Sequence, residues 1–277
     1  MSQVRRLAMH MGLVVALCAM LYPVAWMISS SFKPEAMIFS SPGLIPEVVT
    51  LENYRNGWFS QRDATFGLFL ANSFIVCGFA IIGNLFGASL AGYAFARLKF
   101  PLKRLWFAIM LGSIMLPIHA QLVPQYLLFL KLGWVNTYLP LIVPKFLATD
   151  AFFVFLMVQF MRTLPAELEQ AAEIDGATFW QRYWRIVLPL SLPALVTTAV
   201  FTFIFTYNDF LSQLIYLQEL KHKTVPLGLA LFLDAGGGSS SFGGLMSMSV
   251  LSIGPVLGFF LASQRFLTRG IATQGLK

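Results

Sequence analysis

Charge is what this sequence has least of. Asp, Glu, Lys and Arg make up 11% of its 277 residues. Soluble domains carry about 25%, so an ordinary water-soluble globule is excluded. Cysteine is scarce too. Cys18 and Cys77 each sit inside an apolar run, which argues against a disulfide framework or a thiolate metal site and makes both reduced packing residues. No C-x-x-C, H-E-x-x-H, G-x-S-x-G or G-x-x-x-x-G-K-[ST] string occurs. The chain therefore brings no recognisable metal centre, nucleophile elbow or nucleotide cradle of its own. Its 19 basic residues outnumber its 12 acidic ones, yet they never form the basic face that a nucleic acid requires.

What the sequence has in quantity is long apolar runs, and 57% of it is hydrophobic. Met11–Phe32 carries no charge and follows Arg5 and Arg6. A signal peptide has a shorter apolar region of about 7–15 residues, so this run reads as a retained first span, kinked near Pro23. Lys33 to Phe66 is polar and holds Pro34, Pro42 and Pro46. Ala64–Ala96 is charge-free and exceeds the ~20 residues needed to cross a bilayer. Part of it is expected to be an interfacial or external helix. Gly83, Gly87, Ala88, Ser89 and Gly92 give this second span a small-residue face for close packing. A third span, Leu105–Leu130, is expected to break at Pro117 and Pro124, and Lys131–Tyr138 makes an outer turn. A fourth span is expected over Leu139–Met161, a fifth over Leu188–Tyr216 and a sixth over Leu245–Gln264. Leu217–Gly244, with its G-G-G-S-S-S run, forms an outer loop. Most of the basic residues fall near Arg5, in Arg97–Arg104, in Arg162–Val187 and in the tail Arg265–Lys277. By the positive-inside rule these four pieces and both termini are cytoplasmic. The fold class is an all-α polytopic membrane protein with one domain over 1–277 and no internal repeat.

The polar stretch Pro165–Pro189 stands out in this apolar background. Pro165 suits a first helical position, and Glu167 and Glu169 suit the first turn. Leu164, Leu168, Ala171 and Ala172 share a face by i, i+4, i+7, i+8 spacing. Asp175-Gly176 ends this helix, with Gly176 left-handed. Thr178 and Gln181 form a capping box that starts a second helix. That helix carries Phe179, Trp180, Tyr183 and Trp184 with Arg182 and Arg185, a composition suited to a membrane surface.

The string Q-A-A-x-x-D-G-A (Gln170–Ala177), followed by I-x-L-P ending at Pro189, resembles the EAA loop of permease subunits in bacterial ATP-driven (ABC) importers. The likeness is to the carbohydrate branch, maltose- and glycerol-phosphate-type, second permease subunit. Leu51–Trp58, L-E-N-Y-R-N-G-W, is typical of the same family, and the resemblance runs from about Tyr22 to Gly275. It implies a type I importer fold of six transmembrane helices, with the coupling loop at about 162–187 docking on an ATPase through Glu169, Gln170, Ala171, Ala172, Glu173, Asp175 and Gly176. Gln170 stands where the motif has Glu, which leaves Glu169 and Glu173 to supply that charge. The implied partners are a homologous second permease subunit, two ATPase subunits, an extracytoplasmic solute-binding protein and membrane lipids. ATP and Mg²⁺ would be bound by the partners, with no cofactor, metal or catalytic residue in this chain. The implied location is the bacterial inner membrane. The tail Arg265–Lys277 resembles the family's end, which reaches between ATPase subunits; a basic tail on the membrane surface is the other reading.

Polar residues within spans need partners or a wet cavity. Thr198, Thr202 and Thr206 form an i, i+4, i+8 stripe continued by Tyr207, Asn208 and Asp209, with Ser212 and Gln213 one turn on. T-Y-N-D-F-L resembles a motif of sugar permeases. The strip either lines a path for a polyol or back-bonds and caps its own helix. Ser113, Pro117, Gln121 and Gln125 make a similar line in the third span, with His119 nearby as a structural residue. Lys145 and Asp150 pair with each other, or Lys145 faces an anionic substrate. The expected function is import of a sugar or sugar derivative, neutral or anionic. An ion-coupled secondary transporter or channel is the alternative and would rely on Asp150, Asp209 or Lys145. A membrane enzyme lacks any nucleophile–base or metal set.

Overall fold

A computed structural model describes residues 3–61, 63–233 and 241–272, and at 3–5, 8, 118 and 265–272 the backbone alone. The described residues contain helices and turns and no strand. In chain order the helices are α1 (Gln3–Ser31), α2 (Glu52–Trp58), α3 (Phe66–Arg97), α4 (Lys103–Ile114), α5 (Ile118–Lys131), α6 (Leu139–Phe146), α7 (Ala151–Thr163) and α8 (Glu167–Ile174). They continue with α9 (Phe179–Arg182), α10 (Leu188–Leu190), α11 (Leu192–Tyr207), α12 (Leu211–Tyr216), α13 (Val225–Ala230) and α14 (Phe242–Ala272). A π turn, Tyr183–Val187, joins α9 to α10.

Four stretches are long and apolar enough to cross a membrane: Met9–Ser31, Phe66–Arg97, Leu139–Thr163 and Phe242–Gln264. Two bent pairs bring the number to six if each is one span: α4 with α5, bent by 105°, and Phe179–Leu190 with α11, bent by 73°. The charge-free run after Ala64 forms one unbroken helix, α3, whose 32 residues exceed the ~20 needed to cross a bilayer. Pro117 marks the break before α5, whereas Pro124 lies inside α5 without ending it. The fourth run divides into α6 and α7, and the fifth into α10, α11 and α12. Residues 234–240 of the Gly/Ser run and 273–277 of the tail lie outside the described residues; the helix itself continues to Ala272.

The chain packs as two compact units, Met1–Leu70 with Leu227–Pro255 and Ala71–Pro226 with Val256–Lys277. In the first, the short helix α2 ties two long helices together. Its Asn53 side-chain amide donates to the carbonyls of Ser31 (3.0 Å) and Lys33 (2.7 Å), filling acceptors that the end of α1 leaves open. The Tyr54 hydroxyl pairs with Ser31 Oγ at 2.9 Å. Gly57, one turn beyond Asn53, lets α2 lie against α14: a Cβ there would be 3.0 Å from the Met248 side chain. The Glu35 carboxylate accepts the first N–H groups of α14, from Phe242 (2.6 Å) and Gly243 (2.8 Å), where the helix dipole favours a negative charge. Buried Lys33 donates to the carbonyls of Ser41 (2.7 Å) and Gly43 (2.6 Å). The L-E-N-Y-R-N-G-W string is therefore a clamp.

In the second unit α3 is the central surface. Ala88 and Tyr93 of α3 share a core with Phe153, Val154, Met157 and Met161 of α7 and with Tyr183 and Val187. The small-residue face works as close packing requires. A Cβ at Gly87 would lie 2.8 Å from the Lys145 carbonyl oxygen and 2.9 Å from the Ala148 nitrogen, and one at Gly92 would lie 2.6 Å from Met157 Cβ. Larger residues at these positions would push α6 and α7 off α3.

Asn53→Ala leaves two buried carbonyls at the end of α1 without their donor. The expected loss is roughly 2 kcal/mol, read as a lower thermal midpoint of the protein in lipid nanodiscs. An unchanged midpoint would show that the clamp does not hold α1.

Candidate functional site

The knob at Pro165–Pro189 is built from short elements whose ends are each fixed locally. Pro165 follows Leu164, whose extended backbone (ψ 141°) ends α7. The expected first helical position is not where Pro165 falls: α8 starts at Glu167 with Ala166 as its N-cap, so Pro165 enforces the extended turn ahead of the helix. At the other end Gly176 has φ +79°. The Ala177 N–H donates to the Ala172 carbonyl (2.9 Å) and the Gly176 N–H to the Glu173 carbonyl (3.0 Å), the two bonds of a Schellman ending. Two residues later the next helix begins on a complete capping box. The Gln181 N–H donates to Thr178 Oγ1 (3.3 Å), and the Thr178 N–H donates to Gln181 Oε1 (2.7 Å). An ion pair of 2.6 Å between Arg182 and Glu173 closes the corner.

One stripe of α3 grips this knob. Ser89, Tyr93 and Arg97 lie at i, i+4 and i+8, on a single helical face. Ser89 Oγ and the Tyr183 hydroxyl pair at 2.7 Å. The Tyr93 hydroxyl donates to Glu169 Oε2 at 2.9 Å, and its ring packs on Phe179 and Tyr183, each at 5.3 Å between centroids. Arg97 places Nε 2.9 Å from Glu169 Oε1 and donates from Nη2 to the Leu164 carbonyl at 2.5 Å. Glu169 is only 9% exposed. A carboxylate that far from water is tolerable because a guanidinium and a hydroxyl face it. Taking away one partner of such a pair typically costs about 3–5 kcal/mol.

The sequence-named knob residues thus divide by direction. Glu169 points into the chain, and Ala172 is half-buried. Gln170, Ala171, Glu173, Asp175 and Gly176 are exposed, and so are the apolar side chains of Leu168 (45%) and Ile174 (86%). Tyr93 and Arg97 were not singled out from the sequence. Arg97 counts there as a loop charge, and only the S-x-x-x-Y-x-x-x-R spacing would have marked the stripe.

The in-span candidates fall in two places. Lys145 Nζ lies 2.8 and 3.1 Å from the Asp150 oxygens. Asn84 of α3, fully buried, donates to Asp150 Oδ2 (2.8 Å) and to Thr202 Oγ1 (3.0 Å). Thr198 and Thr202 are buried, Thr206 is half-buried, and Tyr207 is buried. Asn208 donates back to the Ile204 carbonyl (2.8 Å), and Asp209 Oδ1 accepts the Ser212 N–H (3.1 Å). Gln213 donates to the Thr206 carbonyl (2.9 Å) and pairs with Thr224. Gln121 and Gln125 lie elsewhere, on α5. Gln121 bonds to the Leu116 carbonyl (3.2 Å), and Gln125 accepts the Tyr216 hydroxyl at 3.4 Å. The fold brings Lys145, Asp150 and Thr202 together through Asn84, which the sequence alone did not flag.

A Cβ on residue 176 would meet no atom within 4 Å, so a substitution there meets only backbone strain. Gly176→Val is expected to weaken the corner by about 1–2 kcal/mol, seen as roughly tenfold faster hydrogen exchange at the Ala177 amide. Gly176→Asn, which tolerates the left-handed region, should exchange nearly as slowly as the native chain. Equal rates for all three would remove the corner's dependence on glycine.

Known proteins sharpen this picture. Residues 83–272 match the family described as the binding-protein-dependent transport system inner membrane component. The trehalose/maltose transport system permease protein of Thermococcus litoralis is 34% identical over 99% of this chain and 97% of that protein. A probable ABC transporter permease protein of Bacillus subtilis is 32% identical over 96% of this chain and 86% of its own length. The sn-glycerol-3-phosphate transport system permease protein of Yersinia enterocolitica is 29% identical over 95% of this chain and 94% of its own. A bacterial ABC transporter involved in import of the acidic polysaccharide alginate shares the fold, with a TM-score of 0.82 at 21% identity, covering 96% of this chain and 98% of that one. With its all-helical spans and the matched region running from the middle of α3 to the end of α14, this chain belongs to the family of inner membrane components of binding-protein-dependent transport systems.

Proposed function

We propose that the chain is the non-catalytic membrane subunit of an ATP-driven importer for a sugar or sugar derivative, neutral or anionic. The observation that carries this reading is the exposed, locally fixed knob around α8. It leaves Leu168 and Ile174 uncovered on an eight-residue helix, and a Schellman ending and a capping box fix the corner that follows it. A projection whose ends are fixed in this way suits docking into a partner. The partners are two ATPase subunits, a homologous second permease and an extracytoplasmic solute-binding protein. The ATPases bind ATP and Mg²⁺; this chain contributes the path and the coupling surface, with Gln170, Ala171, Ala172, Glu173, Asp175 and Gly176 around Leu168 and Ile174. The residues 1–277 act as one permease domain with six spans, and both termini are cytoplasmic. The relatives' named substrates, trehalose or maltose and glycerol 3-phosphate, support the sugar class. Secondary transport is less well supported, since Asp150 is engaged by Lys145 and Asn84 and Asp209 bonds the backbone of α12.

Gentle purification from the native membrane is expected to recover an ATPase with the chain, and Leu168→Asp with Ile174→Asp should cut that recovery at least about tenfold. A stable chain recovered alone that transports under an ion gradient would overturn the reading. Lys145→Ala separates the substrate options. It should weaken uptake of an acidic sugar far more than a neutral one if Lys145 meets the substrate, whereas equal effects would confine Lys145 to its pair with Asp150.

A further inference from the structure

Three helices meet the knob, and they differ in continuity. The helical run of α7 stops at an extended residue and Pro165 before the knob. The helix beyond the knob turns by 73° between Phe179–Leu190 and α11. Only α3 runs without a break, over 32 residues, and it is also the helix that holds the knob by side chains. Its Arg97 bonds both the end of α7 and the inner face of α8, Tyr93 bonds α8, and Ser89 bonds the π turn. Higher on the same helix, Asn84 bonds Asp150 and Thr202.

We infer that Glu169, Tyr93 and Arg97 are positioning residues that pin α8 to α3, so that a push on the knob enters the membrane through α3 and reaches the Asn84–Asp150–Thr202 cluster. The inference rests on the coupling reading above and assigns Glu169 a role different from ATPase contact. Its carboxylate is directed away from the surface that a partner would touch. The pin is charged and directional, so it resists sliding of α8 along α3 in a way that apolar packing alone does not. Loosening it should leave docking intact and waste the motion that docking delivers.

The test uses the assembled complex in proteoliposomes, measuring substrate imported per ATP hydrolysed together with ATPase recovery. Glu169→Gln is expected to keep the ATPase bound while lowering the import-to-hydrolysis ratio about fivefold or more. Tyr93→Phe, which keeps the ring stack and removes only the hydroxyl, should lower the same ratio to a lesser degree. The double variant should match Glu169→Gln alone, because groups in one network are not additive. If Glu169→Gln does not assemble, Tyr93→Phe carries the test by the same ratio. An assembled complex whose ratio is unmoved, or a double variant with additive losses, overturns the pin alone. Absence of any ATPase from the native preparation overturns the coupling reading and the pin with it.

Discussion

Close backbone approach to α3 is the constraint on which the second unit depends. At Gly87 the main chain of the α6–α7 break comes so near that one added methyl would contact a carbonyl oxygen and an amide nitrogen. Non-helical backbone needs partners for its polar groups, and α3 packs directly against this break. The break can then carry polar chemistry. Ala148 adopts φ +56°, Thr149 Oγ1 donates to the Pro144 carbonyl at 2.8 Å, and the Lys145–Asp150 pair spans the gap. The small-residue face brings α6 and α7 close to α3, and at that distance Asn84 bonds Asp150 and Thr202.

The same helix organises the knob end by opposite means. There the contacts are long, polar and aromatic rather than small and close. A buried carboxylate takes its counter-charge from Arg97 and a hydroxyl from Tyr93, and two tyrosine rings and Phe179 pack around them. The result is a two-faced α8 whose inner side is ionic and fixed to α3. Its outer side is open and mixes Leu168 and Ile174 with Gln170 and Glu173. The bond between Arg182 and Glu173 stiffens the corner on the exposed side, so the knob behaves as one body.

Local chemistry was legible in the sequence where the signal was local. Gly176, Thr178 and Gln181 act within a few residues of themselves, and the Schellman ending and capping box can be read from those letters. Pro117 breaks its run because a missing N–H and a ring clash act on the adjacent turn. Pro124 has the same chemistry, but its neighbours accommodate it inside α5. The length of the Ala64–Ala96 run shows that it exceeds one bilayer crossing, but length alone does not say whether the excess is a second helix or a continuation of the first; α3 is continuous. Glu169 shows the main limit. Its sequence neighbours mark a helix first turn facing outward, and its direction is set by Tyr93 and Arg97, 76 and 72 positions earlier. The pairing of Asn84 with Asp150 and Thr202 is likewise a product of packing that no periodicity announces.

The clamp in the first unit bears on how the protein is made. Glu35 and Asn53 leave the ribosome early, while the backbone that Glu35 caps, at Phe242, lies 207 residues further on. Synthesis proceeds from the N-terminus, so for most of that time the carboxylate of Glu35 has no helix end to cap and must be kept in water. The last helix is therefore the element that completes the first one. Insertion of α14 closes the α1–α2 end, and a chain cut short before Phe242 keeps its opening helix and loses the partner that fixes it.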